Sequence, residues 1–363
     1  METPNIPARI VAPVRRALAG EAVAWPDLTP EEVGALTLHG VGPLVYSVAR
    51  VPQLREQAMH AAVLETMRLE DLHAVLDALA SRGVVPLLMK GTPLAYDVYP
   101  APELRPRGDT DLLIARDAID TTRDVLLKLG FAERITSGDE HGVRQALFTR
   151  LDGYGFEHAY DVHWDITNTA LFAETLRFDE LRARAVNVPK LGAHALALSH
   201  VDALLLACIH RVAHHHDSDR LIWLYDIALL RDRMSRDEHE RFWRLAAERR
   251  VVGVCIRSIE LADEWCGRVP HHRAEEFLSR EEIEREEPSR VYLDREITYG
   301  GVMLADLRAL PWSARVERLR QLAFPPRDFM QQQFRSRSRF ALPWLYVYRG
   351  ARGLVRLFRR ARA

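Results

Sequence analysis

Cysteine is scarce in this 363-residue sequence, which has only Cys208, Cys255 and Cys266. An odd number so thinly spread excludes a disulfide framework and a four-cysteine zinc site, and a reducing cytoplasm is the compartment expected. Long apolar runs are missing as well. No stretch approaches the ~20 residues of a membrane span, and the opening METPNIPARIVAPVRR sets prolines and charges where a secretory leader needs an unbroken apolar segment. A surplus of either charge is also absent. With 50 basic against 51 acidic residues, no global field recruits nucleic acid or an anionic membrane, so electrostatic recruitment must be local. Repeats and low-complexity tracts do not occur, and an apolar content of 48% is enough for a substantial core.

What is present changes texture along the chain. Residues 1–82 read as a helical segment: Thr29 before Pro30, Glu31 and Glu32 is a helix start, and helical periodicity runs over 53–80 until Gly83 stops it. Residues 83–190 alternate. VVPLLM (84–89) suits a buried strand, Thr92 can cap a following helix with Pro93 at its first position, and TDLLIA (110–115) reads as a second strand. An amphipathic helix then ends at Gly130, and RQALFTR and FEHAYDVHW form a hairpin about Asp152-Gly153-Tyr154-Gly155. Residues 191–363 return to helices and end in a basic tail whose last thirty residues hold nine arginines and no acid.

The chemistry gathers in the middle segment. Side chains two apart in a strand share a face, so Asp109 and Asp111 point the same way, and two adjacent carboxylates resist joint ionisation unless a cation lies between them. Magnesium takes one or two carboxylates and completes its shell with water and phosphate oxygens. The same alternation puts Asp161 and His163 on one strand face, joined by Asp165 if the strand persists. Lys90-Gly91-Thr92 falls between a strand and a helix start, where backbone N–H groups favour phosphate. Plainer roles are open for each: Asp109 as a helix cap, Gly91 as a turn, Thr92 as a cap, and Asp161 as the partner of Arg105 or Arg107.

Together these pieces resemble the polymerase-beta-like nucleotidyltransferase core: a strand, a Gly-Thr turn, a helix, a strand bearing Asp-x-Asp and a later strand bearing one more Asp. More narrowly, Leu88-Met89-Lys90-Gly91, Arg107, Asp109-Thr110-Asp111-Leu112-Leu113, Leu129-Gly130-Phe131 and Asp161-Val162-His163-Trp164 resemble a mostly uncharacterised bacterial nucleotidyltransferase family. The likeness continues through His214 to His216, Arg220 to Ile227 and Phe324-Pro325-Pro326, over about 55–350. It implies an α/β (α+β) fold, a mixed sheet flanked by N-terminal and C-terminal helices, with the catalytic domain at 83–190. It also implies two magnesium ions, or manganese in their place, on Asp109, Asp111 and Asp161. The substrate would be a nucleoside triphosphate held by Lys90, Gly91, Thr92, Arg107, His163 and Arg220, and the acceptor a hydroxyl-bearing small molecule, sugar, peptide or protein. The wider superfamily has Gly-Ser or Gly-Gly where this chain has Gly91-Thr92.

Two other readings compete. His210 and His214, four apart on a helix, with His215, His216 and Asp217, faintly resemble the metal ligands of an HD phosphohydrolase. A catalytically silent nucleotide- or partner-binding module on the same fold is the second. Trp223 and Tyr225 are expected in the core, with Asp226 anchoring Arg220 or another cation. Nucleic acid is not expected as a partner. Arg349, Arg352, Arg356, Arg359 and Arg360, interleaved with Leu354, Val355, Leu357 and Phe358, make a cationic amphipathic helix. That helix could touch a membrane peripherally or pack on the acidic 274–295 stretch.

Overall fold

The structure, a computed structural model, describes residues 5–134, 144–213, 215, 217–269, 271–294, 296–334 and 341–358. His214, His216, Arg359 and Arg360 lie outside the described residues. Seven strands, β1 (Leu87–Met89), β2 (Thr110–Leu113), β3 (Ala132–Arg134), β4 (Gln145–Leu151), β5 (Glu157–His163), β6 (Val186–Asn187) and β7 (Leu196–Ala197), form one mixed sheet. Their order is β3-β4-β5-β2-β1-β7-β6. β1 runs antiparallel to β2, and β2 runs parallel to β5. The expected hairpin is β4–β5. Asp152 closes its turn by accepting the backbone N–H groups of Tyr154 and Phe156 at 2.8 and 2.9 Å, while Gly155 adopts φ 81°, a conformation that glycine reaches without strain.

Both central strands are buried along their whole length because both faces of the sheet are covered. Before the sheet come α1 (Ala8–Leu18), α2 (Pro30–Leu38), α3 (Gly42–Ala49) and α4 (Arg55–Ala80), and α5 (Gly91–Asp97) and α6 (Ile119–Lys128) lie between its strands. Leu72, Val75, Leu76 and Leu79 of α4 and Val125 and Leu126 of α6 close over Leu88, Leu112, Phe148 and Val162. Leu87, Met89 and Leu113 face the opposite way, as period-two alternation demands. They join a larger core containing α1–α3 and the helices that follow β5. Those are α7 (Ala170–Ala173), α8 (Phe178–Ala183), α9 (His200–Ala213), α10 (Leu221–Arg233), α11 (Arg236–Glu248) and α12 (Val252–Cys266). The earliest helices thus pack with the later ones. Thr29 begins α2 through a reciprocal capping box with Glu32, as its sequence indicates.

One buried histidine in this core gives the fold a pH dependence. His239, on α11, is 1% exposed and places Nε2 3.2 Å from the Arg231 carbonyl. Burial, with the nearby His272 and Arg231, pushes its pKa from 6.5 down to about 4. The unfolded chain therefore binds this proton more readily. Its contribution to stability is full above pH 6.5 and is lost as pH falls toward about 4. Thermal melts between neutral pH and pH ~4.5 should show a fall in midpoint that is shallower in His239→Gln; parallel curves would contradict this.

The chain closes with α13 (Arg280–Glu284), α14 (Tyr299–Ala309), α15 (Trp312–Ala323), α16 (Arg327–Gln333) and α17 (Leu342–Leu357). Among the described residues α17 rests on α14 and α16, and the expected packing on the acidic 274–295 stretch is not among its main contacts. No helix among the described residues is long and apolar enough to cross a membrane.

Candidate active site

The end of the central strands opens into a cavity of about 340 Å³ whose far wall is built by α9 and α10. Lys90, Gly91, Arg107, Asp109, Asp111, Asp161 and Arg220 all line it, so residues spread over 130 positions of sequence converge there. Its size lies within the range of small-ligand pockets.

Parallel pairing of β2 with β5 sets Asp111 directly beside Asp161 and Leu113 beside His163. His163 is 1% exposed, and its Nε2 lies 3.0 Å from Asp111 Oδ1 and 3.2 Å from Asp161 Oδ2. Lys90 Nζ reaches the same Asp111 Oδ1 at 2.6 Å. Burial alone would raise the Asp111 pKa, but Lys90 and His163 outweigh it and hold this carboxyl well below the usual range. Burial likewise works against charge on Lys90 and His163, and the carboxylates reverse it, raising both pKa values. Asp109 sits just before the first residue of β2 and is open to the cavity. The surrounding wall, with Asp111 next to it, raises its pKa.

Asp111, Asp161 and His163 offer ligand atoms within 4.8 Å of one another, the geometry of a metal site. The donor set suits a divalent cation for a further reason. Asp161 Oδ2 accepts from Gln145 Nε2 at 2.9 Å, but its Oδ1 is buried with no hydrogen-bond partner, an arrangement that costs free energy unless a cation or donor is supplied. Asp109 falls outside that three-residue cluster. His163, expected at the nucleotide, instead bridges the two carboxylates.

Several expectations require correction. The helix thought to begin at Thr92 and Pro93 begins at Gly91, with Lys90 at its cap in the unusual conformation φ 59°, ψ −133°. The Thr92 hydroxyl is buried without a hydrogen-bond partner, and Thr92 does not line the cavity. Gly91 serves a close approach: a Cβ there would meet the Arg105 guanidinium carbon at 3.2 Å. Neither Arg105 nor Arg107 pairs with Asp161. Arg105 makes two 2.7 Å hydrogen bonds to Asp226 of α10, and Arg107 grips Glu65 of α4 at 2.6 and 2.8 Å. β5 ends at His163, so Asp165 leaves that face for Arg116, 2.5 Å away.

The far wall also differs from expectation. Tyr225 is buried, but Trp223 lines the cavity with His210 and His215, the His215 ring lying 4.0 Å from it. Arg220 stands over Trp223 at 5.0 Å, and burial beside Arg105 lowers its pKa. Asp217, which the phosphohydrolase reading needs as a ligand, is tied to Arg211 at 2.5 Å. Gln145 escaped the sequence reading. Its one signal was its place on β4, opposite His163, on the face that carries Asp161.

A family model described as an uncharacterised nucleotidyltransferase matches residues 36–267. The chain belongs to that nucleotidyltransferase family. No curated protein matches it. The match takes in the whole sheet, the cavity and both of its walls, and it stops at the end of α12. In this nucleotidyltransferase family member, α13–α17 therefore lie beyond the matched span, whereas the resemblance read from the sequence extended to about 350.

Proposed function

We propose that the protein transfers a nucleoside monophosphate from a nucleoside triphosphate to a hydroxyl-bearing acceptor, releasing pyrophosphate, with a divalent cation such as magnesium. The observation that carries this reading is the side-by-side placement of Asp111 and Asp161, one oxygen of the latter orphaned, on the floor of a cavity with a cationic far wall. Asp111 and Asp161, with Asp109 at the rim, would hold the cation. When bound, the ion supplies Lewis-acid polarisation of phosphoryl oxygens and lowers the pKa of an acceptor hydroxyl.

The remaining work falls to the chain itself. His163, fixed between two carboxylates, keeps their oxygens aimed at one point. The Lys90 ammonium neutralises Asp111 and stands ready as a point charge for phosphate. Asp161 is the carboxylate proposed to face the acceptor. Arg220, which no carboxylate holds at salt-bridge distance among the described residues, would take phosphate from the opposite wall. Arg107, held by Glu65, presents a fixed edge of positive charge. The buried Thr92 could contribute only through its backbone.

Calorimetric titration with ATP, GTP, CTP and UTP in the presence of magnesium tests this reading. One or more should bind, with release of pyrophosphate once an acceptor is supplied, and Arg220→Ala should weaken binding by about tenfold, the loss of one charged hydrogen-bonding partner. Failure of every triphosphate to bind would end the proposal, and binding without turnover across a wide acceptor panel would favour the silent module.

A further inference from the structure

The near-zero net charge conceals a strongly polar molecule. Residues 311–363 contain thirteen arginines and only two acids, Glu317 and Asp328, while the preceding 310 residues carry 37 basic and 49 acidic side chains. This cationic segment lies wholly beyond the family match. It is also where the exposed aromatic surface collects: Trp312, Phe324, Trp344, Tyr348 and Phe358 are all exposed.

On α17 and the residue after it the exposure is ordered. Trp344, Val347, Tyr348, Ala351, Leu354, Val355 and Phe358 are exposed and fall at the spacing of one helical face. The helix already has an inner side. Tyr346 donates to the Pro325 carbonyl at 2.6 Å and Arg349 to the Leu322 carbonyl at 2.5 Å, so the apolar stripe is what remains outside. Trp344 at 77% and Phe358 at 83% exposure are too open to be the rim of an internal core.

We infer that α17 is a docking surface for an anionic lipid bilayer, its apolar stripe entering the headgroup boundary and the exposed Arg352, beside Tyr348 of the stripe, meeting lipid phosphate. An apolar face flanked by arginine is the pattern of helices that lie in a membrane interface, and basic side chains near anionic lipid each add to the attraction. Charge decides against a second copy of the same chain. Pairing two stripes would bring two acid-free arginine clusters together with nothing to neutralise them. Nucleic acid would satisfy the arginines but leave the aliphatic stripe in water. The inference is independent of the nucleotidyl-transfer reading.

Co-sedimentation of the full chain with vesicles tests it, comparing pure phosphatidylcholine with a mixture that is roughly one third phosphatidylglycerol. At about 0.1 M salt the anionic vesicles should retain about tenfold more protein than the neutral ones, and retention should fall as salt is raised. The triple variant Val347→Glu, Leu354→Glu, Phe358→Glu should lose this retention with its circular dichroism unchanged, since all three side chains are exposed. Arg352→Glu should weaken retention. Equal or absent retention on both vesicle types would overturn the inference. So would a concentration-dependent dimer, or retention on single-stranded RNA, that disappears in the triple variant while vesicles retain nothing.

Discussion

Replacing Asp111 or Asp161 with asparagine should reduce pyrophosphate release by roughly a thousandfold, about 4 kcal/mol of transition-state stabilisation. The two carboxylates are register partners on parallel strands, and each contributes an oxygen to the only cluster of potential metal ligands found among the described residues. Asparagine keeps the shape and one oxygen but removes the charge that a divalent cation requires. Lys90 and His163 would then face one anion instead of two. The double variant should be hardly worse than either single one, because groups that act as a unit lose their effect together. Steady-state pyrophosphate assays and a Mn²⁺ titration followed by electron paramagnetic resonance separate loss of the ion from loss of the fold. Retained turnover in either single variant would refute the proposed role.

Asp226→Ala should be the most damaging change to stability, by about 3–5 kcal/mol, the usual result of stripping one partner from a buried ion pair. Asp226 takes both ends of the Arg105 fork at 2.7 Å and the Tyr99 hydroxyl at 2.7 Å. Arg105 is 6% exposed and burial would lower its pKa, but Asp226 overrides that and raises it. Without Asp226, a permanent charge is left buried against Gly91. Urea unfolding monitored by tryptophan fluorescence should show the loss, and Asp226→Ala with Arg105→Met should recover part of it. A single variant as stable as the parent would show that the pair contributes nothing net.

What could be read from the sequence follows from distance along the chain. The capping box at Thr29, the hairpin around Asp152 and the end of α6 at Gly130 depend on neighbours within a few residues, and local chemistry specified them. Asp111 on one strand and Asp161 on another were recognisable because strand alternation fixes which face each side chain takes, whereas Asp109 falls just before its strand. The pairing of Arg105 with Asp226 spans 121 residues, and no local pattern encodes it; each residue could serve several partners until the fold chooses one. The role of Gly91 was hidden for the same reason. A glycine beside a helix start suggests phosphate, whereas here it makes room for a guanidinium from another turn of chain. Thr92 showed a cap by residue type, but the helix is capped at Lys90, with its unusual backbone, and starts two positions earlier. Amphipathicity in α17 was visible, but which of its sides would remain uncovered required knowing where α14 and α16 lie.

Lys90 is not glycine, yet its φ of 59° with ψ −133° belongs to a region that side-chain-bearing residues rarely occupy, at a cost of order 1–3 kcal/mol. A glycine at this position would relax the backbone and leave Asp111 facing the cavity without its lysine partner. The most restful sequence for this turn is therefore a different one from the sequence that serves the pocket. Erasing the lysine would strip one partner from a buried ion pair, at about 3–5 kcal/mol, so relief of the backbone strain would not by itself make the protein sturdier.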